Sequence, residues 1–318
     1  MKPVAWAILL AAPLAAQVRV TQHGIEYISV EIKDKPYTQF FIGPETNKPY
    51  LHPLRSATGK IVTRGFPMED VPGESHDHPH HRGLWFSHGD VNGFDFWGNE
   101  ARGPKFGRIV LDKIDGLSGG KDSGAINATF DWRDPSGKPL LSEARRMTFY
   151  VQPKTRMIDF DITLTAREKV TFGDTKEGTF ALRVASALEE PHSGAPAQPV
   201  RTGHMVDSLG REGEKQVWGK RADWVDYYGV LDGEPLGIAM FDHPSNPRHP
   251  TYWHARAYGL FAANIFGLHD FENDKSRNGS LTLQPGETLR FRYRVVIHPG
   301  DVRSAHIARL YEEYSAGR

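Results

Sequence analysis

Five histidines fall within thirteen residues: His76, His78, His80, His81 and His88. They sit in the run Asp77-His78-Pro79-His80-His81-Arg82-Gly83-Leu84-Trp85, which continues to Asp90-Val91-Asn92-Gly93-Phe94-Asp95-Phe96-Trp97. Imidazole takes up and releases a proton near neutral pH, so such a cluster suits acid–base chemistry or ligation of a divalent metal. If Pro79 holds the backbone extended, His78, His80 and Arg82 share one face and His81 takes the other. His78 and His81 are the candidate proton carriers, and Arg82 can stabilise developing negative charge. Trp85 and Trp97 offer rings for stacking. His80, His88, Asp90, Asn92 and Asp95 are candidate substrate-binding groups. The competing reading is a solvated, histidine-rich surface loop.

Two further stretches could bring complementary groups. Asp242-His243-Pro244-Ser245-Asn246-Pro247-Arg248-His249-Pro250 follows the apolar run Leu236 to Phe241. Its prolines restrict the backbone and lower the entropy cost of holding a ligand. Asp242 and His243 are catalytic candidates there, with Asn246, Arg248, Trp253 and His254 as binding candidates; a stiffened structural loop is the alternative. In Gly173-Asp174-Thr175-Lys176-Glu177-Gly178, Glu177 is a candidate base and Lys176 a candidate cation, ahead of a strand that carries Arg183 as a binding candidate.

Alternating runs predict the scaffold. Leu289, Phe291, Tyr293, Val295 and Ile297 alternate with Arg290, Arg292, Arg294 and His298. Ile158 to Leu164, Arg145 to Val151 and Ile126 to Trp132 repeat the pattern, as half-buried strands do. Asp134-Pro135-Ser136-Gly137, Gln152-Pro153-Lys154 and Pro285-Gly286 read as turns between strands. Sequential strands with short turns predict an all-β fold, a large antiparallel β-sandwich. A short C-terminal helix is expected from an Asp301 cap and the stripe Val302, Ala305, Leu310, Tyr311 and Tyr314. The segment from Gly65 to Gly107 is irregular and dense in glycine, histidine and aromatics, as function-bearing loops are.

Composition narrows the function classes. Lys2, an apolar run from Val4 to Leu14 and Ala15-Ala16-Gln17 form a signal-peptide pattern. Residues 1–16 are therefore expected to be removed on export, leaving a secreted or periplasmic single β-sandwich domain over 17–318. The whole chain carries 39 basic and 39 acidic side chains, which argues against nucleic-acid binding. No segment is apolar and long enough for membrane insertion. The absence of cysteine excludes thiol nucleophiles and thiolate metal sites. No dinucleotide fingerprint, phosphate loop, nucleophile elbow or His-Glu-x-x-His motif is present. No cofactor is predicted. A divalent metal stays open as an alternative, with His78, His80 and His88 as its ligands.

The histidine run, with the Gly173–Gly178 and Asp242–Pro250 motifs, resembles a bacterial family of uncharacterised secreted proteins that often carries the label "methane oxygenase PmoA". A membrane methane monooxygenase subunit needs several long apolar helices, which this sequence lacks. The ending Leu283-Gln284-Pro285-Gly286-Glu287-Thr288-Leu289-Arg290-Phe291-Arg292-Tyr293-Arg294 is similar to the closing hairpin and final strand of galactose-mutarotase-like supersandwich proteins. That resemblance implies a sugar ligand on a large β-sandwich. The expectation is a secreted carbohydrate-active enzyme, an isomerase, lyase or glycoside-cleaving enzyme with histidine and carboxylate acid–base chemistry and a small-molecule carbohydrate as its partner. A non-enzymatic carbohydrate-binding protein and a metal-dependent enzyme are the alternatives. The oligomeric state is not readable from the sequence.

Overall fold

The alternating runs form strands that pair in the order their turns allow. In the computed structural model, which describes residues 17–100 and 103–317, Thr288–Pro299 lies between Arg156–Ala166 and Glu234–Asp242. Phe291 faces Ile162 across the first of these pairs, and Val295 faces Met240 across the second. Gly137 N donates to Asp134 O at 2.9 Å, and Glu287 N to Gln284 O at 2.9 Å, closing two of the expected turns. Gly286, at φ +84°, takes the left-handed position that a type II turn reserves for glycine. The expected signal peptide lies outside the described residues.

Two eight-stranded antiparallel sheets result. One runs in spatial order Val18–His23, Tyr27–Ile32, Lys35–Phe41, Tyr50–His52, Leu84–His88, Gly178–Arg183, Leu260–Asn264 and Tyr252–Ala255. The other runs His204–Asp207, Trp224–Leu231, Glu234–Asp242, Thr288–Pro299, Arg156–Ala166, Pro139–Val151, Ser123–Arg133 and Arg108–Ser118. Their facing sides share one core that includes Phe40, Leu84, Phe86, Trp132, Phe160, Phe180, Leu182 and Phe291. The fold is an all-β sandwich, as the sequence predicts.

The second sheet carries a buried ion pair on its core side. Glu143 and Arg145 are two residues apart on one strand and meet at 2.6 Å. Glu143 also accepts from Trp132 Nε1 at 2.8 Å. The Arg145 guanidinium lies over the Phe130 and Phe40 rings, 5.1 and 5.7 Å from their centroids. On its outer side, the sheet is covered by the helix Ile307–Ser315, which buries Ile307, Tyr311 and Tyr314 against Phe241 and Val296. That helix begins later than the Asp301 cap predicts. Asp301 Oδ1 instead accepts from Arg303 N and Ser304 N in a separate turn, and His306 at φ 54° breaks the path into the helix.

The central strands of the first sheet are buried on both faces, and that arrangement positions the site. Leu84, Phe86, Phe180 and Leu182 point into the core. Trp85, Ala181, Leu260 and Ala262 point the other way and join Tyr50 and Trp97 in a second apolar cluster. The glycine- and histidine-rich segments before and after Leu84–His88 fold over this outer face.

Candidate functional site

His78, His80, His81, Asp95, Trp97, Lys176, Glu177 and His254 line one cavity of about 480 Å³, with Gly98, Arg256 and Tyr258. The volume lies in the range of small-molecule sites, roughly 300–1,000 Å³. Its back wall is a row of parallel rings. Tyr258 stacks on His78 at 5.3 Å, His78 on His81 at 4.7 Å, and His81 on Trp85 at 5.3 Å. Trp97 meets the edges of His80 and His81. The indole N–H of Trp97 and Nε2 of His81 are buried and have no protein partner.

Asp77 sets the first histidine. Its Oδ2 lies 2.8 Å from His78 Nδ1, and its Oδ1 accepts from Arg64 at 2.6 Å and Arg183 at 3.1 Å. Burial works to raise the Asp77 pKa, but the His78 hydrogen bond and the two guanidiniums hold it well below the usual carboxylate range. Ionised Asp77 can only accept, so His78 keeps a proton on Nδ1. The lone pair of a neutral His78 then lies on Nε2. His254 is set in a similar way. Its Nδ1 donates to the Lys176 carbonyl at 3.0 Å, which leaves Nε2 as its acceptor. Burial depresses the His254 pKa to about 4, and burial with the Lys48 and His78 charges takes His80 to about 3. Both are neutral imidazoles near pH 7.

Two carboxyl groups complete the cavity. Asp95 Oδ1 accepts from Trp97 N at 2.7 Å and Gly98 N at 2.8 Å. A Cβ on Gly98 would lie 2.8 Å from Asp95 Oδ2, so glycine there lets the turn close over the carboxyl. Burial raises the Asp95 pKa despite those two N–H groups, and the charge of Glu177 adds to the rise. Glu177 pairs with Lys176 at 3.0 Å. The segment holding both is pinned by Gly89 N to Glu177 O at 2.7 Å and by Lys176 N to Asp270 Oδ2 at 3.0 Å. The cavity thus holds imidazole acceptors, a carboxyl with raised proton affinity, an ionic pair and aromatic faces. Such a set can move protons on a bound small molecule.

Several expected site residues lie elsewhere. The strand-like spacing around Pro79 does not form. His78 has φ 44° and His81 N donates to His78 O at 3.0 Å, so a turn stacks His78 against His81 and sends Arg82 to Glu100 at 2.7 Å. His88 points into the core between Phe172 and Phe266, with Nε2 on the Gly173 carbonyl. It therefore cannot join His78 and His80 around a metal ion. Among the described residues, no group of three or more histidine, aspartate or glutamate side chains is placed to hold one. Asp90 and Asn92 close the hairpin turn at Gly93 and bond Lys169 and Thr171 backbone. Trp85 forms the floor behind His81, and Arg183 lies beneath the rings, fully buried.

The proline-rich loop is a structural knot. Asp242 accepts from Asn246 at 2.7 Å, Thr251 N at 3.0 Å and His249 at 2.7 Å. Asn246 also bonds both backbone groups of Arg292. His243 takes the Ser245 N–H and packs edge-on to Tyr314. Arg248 binds the carbonyls of Ile265, Gly279 and Ser280, and Trp253 sits in the core with its N–H on Ala222 O. None of these five side chains lines the cavity; of that stretch only His254 and Arg256 do. Sequence reasoning missed Asp77, Arg64 and Tyr258. For Asp77 a signal existed in its adjacency to His78.

No curated protein matches the chain. Among solved structures, the GH36 α-galactosidase AgaA of Geobacillus stearothermophilus aligns at 10% identity and TM-score 0.43, over 91% of this chain and 41% of that one. The chain thus spans less than half the length of that α-galactosidase. A galactose mutarotase-like protein of Clostridium acetobutylicum aligns at 11% identity and TM-score 0.43, over 89% and 99% of the two chains. The galactose 1-epimerase of Lactobacillus acidophilus aligns at 8% identity and TM-score 0.42, over 90% and 100%. Residues 27–312, which hold every element of the cavity, match a single family throughout, and the chain belongs to it: DUF6807, a family of unknown function.

Proposed function

We propose that the cavity is the active site of a carbohydrate-active enzyme, an isomerase, lyase or glycoside-cleaving enzyme that works outside the cytoplasm. His78, oriented by Asp77, takes or returns a proton at Nε2. Asp95 carries the complementary proton, because its buried carboxyl holds one to higher pH than an exposed aspartate. Trp97 and Tyr258 wall the hollow that takes the sugar, and Lys176, Glu177 and His254 bond its hydroxyls. The observation that carries this reading is the convergence of an Asp-oriented imidazole, a carboxyl of raised pKa and aromatic faces on one ligand-sized hollow. The export pattern in residues 1–16 supports the location. Protein recovered from the periplasm or medium should begin near Gln17 by intact mass.

The test is proton NMR of a panel of reducing sugars, uronates and glycosides incubated with the protein. The reading predicts turnover of at least one of them. His78→Gln should lower kcat/KM by about 10²–10⁴-fold, the usual weight of one general acid or base. Full activity in that variant would remove His78 from the reaction. Binding without turnover anywhere in the panel would favour a sugar-binding protein instead.

A further inference from the structure

Two guanidiniums behind the histidines take no part in the proton transfers just described. Arg64 and Arg183 are both fully buried. Arg64 is tied to the Ser75, Asp77 and His78 carbonyls as well as to the Asp77 carboxylate, so it fastens the turn itself. Arg183 does something different. Through Nη2 it donates to Asp77 Oδ1 at 3.1 Å, and through Nη1 it meets His81 Nδ1 at 3.2 Å. Its plane lies over the Tyr258 ring, 4.6 Å from the centroid. Glu189, itself held by Arg201 at 2.8 Å, lies 3.7 Å behind it.

A guanidinium has donors and no acceptor. His81 Nδ1 must therefore carry the lone pair, and the neutral ring holds its proton on Nε2. Burial, reinforced by the charge of Arg183, keeps a second proton off this ring. Its Nε2 has no protein acceptor, and the residue lines the cavity. His78 is fixed the other way round, with its proton on Nδ1 towards Asp77. Two parallel rings 4.7 Å apart thus hold opposite tautomers, and one guanidinium touches His81 itself and Asp77, the partner of His78.

We infer that Arg183 is a positioning residue that sets His78 and His81 as an opposed pair, one a proton acceptor and the other an uncharged hydrogen-bond donor. This rests on the acid–base reading of the cavity and adds a division of labour to it. The proton leaving the substrate goes to His78 Nε2. The bonding electron pair stays on the substrate, and the oxygen that gains negative charge takes the hydrogen bond from His81 Nε2–H. A neutral imidazole can play that part because it donates without needing to be an acid.

The experiment reads tautomers directly and needs no substrate. Long-range proton–nitrogen correlation spectra of protein labelled with ¹⁵N-histidine are recorded at mildly alkaline pH, with His78→Gln and His81→Gln to assign the rings. The expected wild-type result is Nε2–H for His81 and Nδ1–H for His78. A His81 ring protonated on Nδ1, or on both nitrogens, would overturn the inference even if no Arg183 variant folds. Arg183→Gln loses the charge and offers His81 Nδ1 an amide oxygen as well as an N–H, so the donor-only constraint is gone. In it, His81 should shift to a mixture of tautomers, and kcat should fall at least tenfold with a smaller change in KM. An unchanged His81 signal in Arg183→Gln also overturns the inference. If the tautomers are as stated and no sugar is turned over, the enzyme reading fails and the tautomer assignment stands.

Discussion

On the proposed reading, Asp95 and His78 divide the chemistry at the scale of single residues. Asp95 holds its proton to higher pH than an ordinary aspartate because burial penalises its charged form. If it acts as the acid, turnover falls as pH rises through its raised pKa, when the proton is lost. Asp95→Asn should lower kcat and flatten that alkaline limb, measured as kcat against pH. A variant with the wild-type profile would show that the limb belongs to another group. The sequence singles out the histidine cluster and Glu177, and the fold brings His78, His80, His81 and Glu177 of these to one cavity. Which histidines face the cavity was not legible, because that depends on a turn with a positive φ at His78 that no propensity marks. His88 is the instructive miss. Leu84 and Phe86 point inward on the same strand, so period-two parity alone sends His88 into the core with them.

The strands were the most legible elements, because alternation of apolar and polar side chains survives in the sequence wherever one face is buried. Arg145 shows where the pattern misleads. It sits at an inward position, and only the structure reveals Glu143 beside it as the counter-ion. The pair is enclosed between the sheets, so removing one partner strands the other charge. Glu143→Ala should cost about 3–5 kcal/mol in urea unfolding, the usual penalty for breaking a buried pair. Glu143→Leu with Arg145→Met should cost much less, since no charge is left unpaired. A small loss in the single variant would mean that water reaches Arg145. The proline-rich loop at Asp242–Pro250 read as a possible site because its residue types can do chemistry. In the fold, its hydrogen-bonding groups are consumed within the loop and by the backbone of Arg292, Ile265, Gly279 and Ser280.

Several histidines shape the response of the whole molecule to pH. Burial depresses His52, His88, His243 and His254 to about 4 and His80 to about 3. Their unfolded pKa is near 6.5, so between that value and about 4 the unfolded chain binds more protons than the folded one. Stability should therefore be fully present above about pH 6.5 and decline as pH falls towards 4. His298 runs the other way. Burial disfavours its charge, but Asp226 at 3.1 Å outweighs that and raises its pKa, so its contribution is full below 6.5 and is lost as pH rises through the raised value. The depressed group is larger, and thermal melts at pH 7.5 and 4.5 should show a lower Tm in acid. An equal or higher Tm at the lower pH would mean that the histidines are hydrated in the folded state.

Size alone would place the site elsewhere in the molecule. A cleft of about 840 Å³ lies between the C-terminal helix and Trp224 and Tyr228, but its one histidine, His306, is exposed, and its buried carboxylate, Asp207, is taken up by Arg211 at 2.6 Å. A crystal of the protein soaked with the best-binding sugar of the panel separates the two places. The account predicts a sugar ring in the hollow lined by Trp97 and Tyr258, with a hydroxyl within hydrogen-bond reach of His78 Nε2. A sugar bound in the helix-side cleft, with none beside His78, would contradict it.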